Sequence, residues 1–77
     1  MQGEVLVVGL GRIGLPVALV MADSGYIVRG VDSSTDGIKL LSDGIAPFKE
    51  PGLDDLLSKH HGNNFYPITW EESSSEL

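Results

Sequence analysis

The chain has 77 residues, five Lys and Arg against eleven Asp and Glu, a formal net charge of −6 and no cysteine. That length holds one small domain with a modest core, and the missing thiols exclude disulfides and thiolate metal sites. The basic residues Arg12, Arg29, Lys39, Lys49 and Lys59 stand apart from one another, which argues against nucleic acid and anionic membrane surfaces as partners.

The start, Met1-Gln2-Gly3-Glu4, has no basic n-region of a signal peptide, and the apolar stretch 15–22 is too short to span a bilayer. A soluble cytoplasmic chain with no membrane partner is expected. Residues 4–8 read as a strand, apolar without alternation and therefore expected to be buried on both faces, as parallel strands are. The strand breaks into Gly9-Leu10-Gly11-Arg12-Ile13-Gly14 and then into a helix over about 13–24, stopped by Gly25. That helix is apolar almost all round, from Leu15 to Ala22. One side is expected on the sheet, the other against the remainder of a longer protein or a partner chain.

A second short strand, Ile27 to Val31, ends in Asp32, eighteen residues beyond Gly14. Strand, Gly-x-Gly-x-x-Gly, helix, strand and terminal acid together form the layout of a dinucleotide-binding β-α-β unit. Gly9 permits the tight turn leaving the strand. Gly11 lets backbone approach a pyrophosphate, and Gly14 lets the helix lie close on the sheet with its free N–H groups facing phosphate. Asp32 is placed to accept from the adenosine ribose hydroxyls and to repel a 2′-phosphate. No Arg follows it in Ser33-Ser34-Thr35, so NAD is expected over NADP. The competing interpretation is that the glycines only shape a turn and Asp32 caps the next helix.

Beyond Asp32, Ser33 and Ser34 are candidate N-caps for a short helix through Ile38, Leu40 and Leu41, with Gly44 past its end. Gly37 inside it costs about 1 kcal/mol relative to Ala. Residues 44–49 read as a loop, and 50–62 as a helix with Pro51 near its start, Asp54 and Asp55 in the first turn, and Lys59, His60 and His61 in the last. The histidines are expected to serve the helix dipole and not a metal; the sequence offers no third ligand beside them. Residues 65–70 form a third strand, where Pro67 suits an outer position. A polar segment with a Ser73-Ser74-Ser75 run closes the chain. The expected class is α/β, the N-terminal half of a Rossmann-type doubly wound parallel sheet of about three strands in the order β-α-β-α-α-β. Residues 1–77 are expected to form only part of that domain, whose complete form has six strands.

The segment Gly44-Ile45-Ala46-Pro47-Phe48-Lys49-Glu50-Pro51-Gly52-Leu53-Asp54-Asp55-Leu56-Leu57 is more specific than the glycine loop. With Gly9 to Ala18 and Val31-Asp32, it resembles the NAD-binding N-terminal domain of the UDP-glucose/GDP-mannose dehydrogenase family. That family carries Gly-x-Gly-Tyr-[Ile/Val]-Gly-Leu-Pro, then an Asp, then Gly-x-x-Pro-x-x-Glu-Pro-Gly-Leu-x-x-Leu-Leu. Here Arg12 replaces the usual aromatic, Gly37 stands where many members have a basic residue, and Trp70 takes the place of a second threonine.

The resemblance implies NAD as cofactor, held by Gly9, Gly11, Arg12, Ile13, Gly14 and Asp32. It also implies a parent enzyme of nucleotide-sugar metabolism and polysaccharide biosynthesis. Such an enzyme oxidises a UDP- or GDP-sugar alcohol to the acid with two NAD, through a thiohemiacetal on a cysteine. The resemblance puts that cysteine, the assisting lysine and the sugar-binding domain beyond residue 77. No catalytic and no metal-binding residue is therefore expected here, and the chain by itself is expected to hold the adenosine-pyrophosphate part of NAD at most. Two other readings of the glycine loop are a non-catalytic NAD(H)-sensing domain of a potassium channel or transporter, and the N-terminal domain of a β-hydroxyacid dehydrogenase. Neither carries the Pro47 to Leu57 block.

Overall fold

The structure is a computed structural model that describes residues 3–72. Its elements are β1 (Glu4–Val8), α1 (Gly14–Asp23), β2 (Ile27–Asp32), α2 (Thr35–Ser42), α3 (Leu53–His60) and β3 (Phe65–Thr69). The three strands form one parallel sheet in the order β1-β2-β3. Parallel neighbours need crossover connections, which α1 supplies between β1 and β2, and α2 with α3 between β2 and β3. This is the expected β-α-β-α-α-β half of a doubly wound sheet. Val28 pairs with Val5 on one side and Phe65 on the other, and Gly30 with Val7 and Pro67.

All three helices contribute to one core. Leu15, Ala18, Leu19 and Ala22 of α1, Ile38 and Leu41 of α2, and Leu53 and Leu57 of α3 pack with Val28 and Phe65. Val5 and Val7 pack against that cluster, so β1 turns its odd-numbered residues toward the helices. On the opposite face Val31 and Ile68 are buried at the centre, but Leu6 is 46% and Val8 60% exposed. The expectation that β1 is buried on both faces is thus corrected: helices cover one face only, and the exposure of β1 alternates with the pleat. The outer stripe of α1 (Ile13 before it, then Val17 and Val20) is exposed; the described residues do not supply the surface expected to cover it.

Element ends follow the local chemistry. Ser34 caps α2, its Oγ accepting from Gly37 N–H at 3.1 Å. The third helix begins at Leu53, later than Glu50, because Pro51 and Gly52 form a turn and Gly52 takes left-handed φ 82° at the N-cap. Pro67 lies on the outer strand, where a missing N–H costs no ladder bond. The last strand stops at Thr69, and Trp70 opens a helical turn through Glu72. There Glu72 Oε1 accepts from Thr69 N–H and Oγ1 at 3.2 and 3.1 Å, and Glu72 N–H donates back to Thr69 Oγ1 at 3.2 Å. The serine run lies outside the described residues.

The two histidines do more than face the dipole. His60 is buried, its Nε2 2.8 Å from Asp23 Oδ1 and its Nδ1 2.8 Å from Asn64 Oδ1. Asn64 Nδ2 donates to Ala22 O and Tyr26 O at 2.7 and 3.1 Å, which leaves its Oδ1 to accept from the ring. The network ties the ends of α1 and α3 together. His61 Nε2 donates to Ser42 O at 2.7 Å, fastening α2 to the same corner. Among the described residues no helix is long and apolar enough to cross a membrane, and no group of three or more His, Cys, Asp or Glu is placed to hold a metal ion.

Candidate functional site

The turn from β1 into α1 is fixed by contacts that admit little variation. Gly9 N–H donates to Val31 O at 2.7 Å, and Gly9 adopts φ 92°. A Cβ on Gly14 would lie 1.8 Å from Gly9 O, so the first residue of α1 must be glycine for the helix to approach the strand this closely. Gly30 has the matching role on β2: its missing Cβ makes room for the Leu10 side chain, which would stand 2.7 Å away. Gly11 differs. No atom of the described residues lies within 4 Å of where its Cβ would be.

The helix start carries open hydrogen-bonding capacity. Leu15 N–H reaches Gly11 O at 3.0 Å, but among the described residues the N–H groups of Gly11, Arg12, Ile13 and Gly14 have no acceptor. No side chain caps α1, and its first turn contains no acid. Such an end, with its partial positive charge, favours an anion.

Asp32 faces this loop from the tip of β2. Its Oδ2 accepts from Leu10 N–H at 2.7 Å and its Oδ1 from Ser34 N–H at 2.9 Å. The Ser34 N–H above all, then that of Leu10, holds the carboxyl below its ordinary value of 3.8; desolvation opposes each of these less strongly, and Ser33 N–H adds a still smaller lowering. The carboxylate is therefore charged at neutral pH. It pins the glycine loop to the start of α2, and its remaining lone pairs can accept further donors.

Leu10, Gly11, Arg12, Asp32, Ser34, Gly37, Leu41, Pro47 and Phe48 line one cleft of about 290 Å³. The structure thus brings Gly11, Arg12 and Asp32 of the expected set to the cleft wall. Gly9 and Gly14 shape the loop behind it, and Ile13, 82% exposed, offers its backbone N–H but keeps its side chain outside. Sequence reasoning missed Pro47 and Phe48. The Arg12 guanidinium lies 5.1 Å from the Phe48 ring centroid, joining the glycine loop to the loop before α3. The only sequence signal for this was the family-like block around Pro47, and spacing alone gave no hint that it folds over the glycine loop.

Known proteins resemble this chain in sequence and fold. The chain is 44% identical over 56 residues to the UDP-N-acetyl-D-mannosamine dehydrogenase of Pyrococcus horikoshii, covering 73% of this chain and 13% of that protein. It is 35% identical over 66 residues to the UDP-glucose 6-dehydrogenase AglM of Haloferax volcanii, covering 86% of this chain and 15% of that protein. Among solved structures, the Pyrococcus horikoshii enzyme superposes with a TM-score of 0.83 at 35% identity, covering 91% of this chain and 17% of the other. A ternary complex of the GDP-mannose dehydrogenase from Pseudomonas aeruginosa gives 0.79 at 31% identity, with 96% and 17% covered. The chain therefore spans less than a fifth of the length of the relatives it matches. None of these four comparisons leads to a channel-gating module or a β-hydroxyacid dehydrogenase. With residues 3–76 matching the NAD binding domain of the UDP-glucose/GDP-mannose dehydrogenase family, the chain belongs to that family.

Proposed function

We propose that the cleft holds the adenosine and pyrophosphate part of NAD, the phosphates on the N–H groups of residues 11–14 and the adenosine ribose on Asp32. The observation that carries this is the row of four backbone N–H groups without acceptors among the described residues, which begins at Gly11 and Arg12 in the wall of the cleft that the charged Asp32 also lines. Gly11 adds a fit test: none of the described residues fills the place of its Cβ, which leaves room for a pyrophosphate to approach the backbone. NAD, when bound, supplies hydride acceptance. Gly9 and Gly14 hold the loop's shape, the N–H row meets the phosphate charge, and the Asp32 carboxylate accepts from ribose hydroxyls.

A protein carrying this domain is proposed to oxidise a nucleotide-sugar alcohol to the acid with NAD, in the cytoplasm, with the nucleotide-sugar as its other partner. The reaction is drawn from the relatives, since this chain has no cysteine and supplies only the cofactor side. We also propose that the uncovered edge of β1 is paired in solution, by self-association or by further chain.

Titration of NAD and NADP against the protein, followed by amide chemical shifts, tests the cofactor reading. NAD should bind at least about tenfold tighter, a difference of about 1.4 kcal/mol, with the largest shifts at Gly11–Gly14 and Asp32. Equal or tighter binding of NADP, or shifts confined elsewhere, would remove Asp32 from the ribose.

A further inference from the structure

We propose that Arg12 is a side-chain contact for the dinucleotide's phosphates, and that Phe48 is the positioning residue that holds it over the cleft. The inference rests on the cofactor reading of the cleft and extends it from backbone to side chains.

Three observations converge on Arg12. It lies in the turn leading into the N-terminus of α1, where the helix dipole already presents positive charge and a cation is unfavourable for the fold alone. It has no carboxylate within ion-pair distance among the described residues, although the chain has eleven acidic residues. And it lines the same cleft as Gly11 and Asp32. An unneutralised cation placed where the fold disfavours it is accounted for by an anion that arrives from outside.

Phe48 explains how the side chain is kept there. Its ring is half-buried against the hydrophobic core, so it is a fixed platform and not a second mobile group. The guanidinium sits 5.1 Å from the ring centroid. Contact with a ring engages the flat face of an arginine and leaves its edge N–H groups free to donate. Stacking thus orders the long side chain before the ligand binds, which lowers the entropy lost on binding. A lysine at this position would keep the charge but lose the planar fork.

Adenosine, AMP, ADP and NAD are titrated separately into the wild type, Arg12→Ala, Arg12→Lys and Phe48→Leu, with amide shifts as readout and salt raised from low to moderate concentration. Arg12→Ala should weaken ADP and NAD about tenfold while leaving adenosine within twofold, because only the phosphate ligands lose a charge-assisted hydrogen bond. Arg12→Lys should recover part of that loss. Phe48→Leu, which keeps apolar bulk, should weaken NAD about threefold and flatten its salt dependence toward that of Arg12→Ala. Equal losses for adenosine and ADP in Arg12→Ala would make the arginine a mere wall of the cleft and overturn the proposal. Unchanged ADP and NAD affinity would overturn it as well. A Phe48→Leu protein whose salt dependence matches wild type would remove Phe48 from its positioning role, and should that variant fail to fold, Phe48→Tyr is held to the wild-type salt dependence instead. Failure of the wild type to bind any of the four ligands would be a different result: it would remove the cofactor site itself, and Arg12's role with it.

Discussion

Gly11 and Gly14 look alike in sequence but meet different surroundings, and single substitutions separate them. In an exposed helix, Gly→Ala gains about 1 kcal/mol. At Gly14 the new methyl would stand 1.8 Å from Gly9 O, a backbone atom that cannot swing aside. The steric term wins, and Gly14→Ala should destabilise the fold by about 2 kcal/mol or more in denaturant unfolding. Gly11→Ala meets nothing within 4 Å, so stability should stay within about 0.5 kcal/mol of wild type while NAD binding falls. A destabilised Gly11→Ala protein would show that the fold, not the ligand, requires this glycine. Asp32 needs a different kind of test, because its carboxylate also anchors Leu10 and Ser34. Asp32→Ala should weaken NAD by about 1.5–3 kcal/mol, the cost of losing hydrogen bonds to a charged acceptor, but it also loosens the loop. Changing the ligand avoids that confusion: 2′-deoxy-ADP should bind more weakly than ADP to the unaltered protein, and equal affinities would exclude a contact from Asp32 to the ribose 2′-hydroxyl.

At the scale of elements, the corner where α1, α3 and β3 meet depends on polar groups that no local pattern connects. Asn64 accepts from His60 and donates to Ala22 O and Tyr26 O, so Asn64→Ala leaves three groups short of partners. It should cost about 1–3 kcal/mol, measured by urea unfolding; a change under 0.5 kcal/mol would show that water replaces the amide. The corner also sets an acid limit. Hydrogen bonding to His60, then to Lys59, holds the Asp23 carboxyl below 3.8, and Asp32 is lowered by its backbone donors. Both folded-state values lie under those of the unfolded chain, so the stabilisation is present above about pH 4. It is lost as pH falls through the folded values. Melting temperature should fall steeply below pH 4, and Asp23→Asn should make that fall shallower; an identical acid limb in the variant would take Asp23 out of the account. Strand, loop and helix order were legible because Gly-x-Gly-x-x-Gly, Ser34 and Gly44 each act on their immediate neighbours, and Asp32 stands at the end of its own strand. The His60 network and the Arg12–Phe48 contact join residues 36 or more positions apart, and no periodicity encodes such meetings. The start of α3 was misjudged because Pro51 suits a first helical position and a preceding turn equally well.

For the molecule as a whole, the decisive feature is that three strands have two edges and helices on one face. Pro67 moderates the outer strand β3. Among the described residues nothing comparable protects β1, whose residues after Glu4 are all apolar. Beyond its edge, Leu6 and Val8 expose nearly half or more of their surface, and Val17 and Val20 on α1 do the same on the other side of the sheet. Unpaired strand groups beside apolar side chains are a template for association. The net charge of −6 opposes it, but that repulsion is screened within about 10 Å at 0.1 M salt, and β1 itself carries charge only at Glu4. We therefore expect the 77-residue chain to self-associate at micromolar concentration, more so as salt rises. Leu6→Lys with Val8→Lys should shift it toward monomer in sedimentation velocity without moving the core, since neither side chain belongs to the buried cluster. A wild type that sediments as a monomer at every salt concentration, melts sharply and exchanges its edge-facing Leu6 and Val8 amides quickly would show that the bare edge needs no partner, and the association argument would fail.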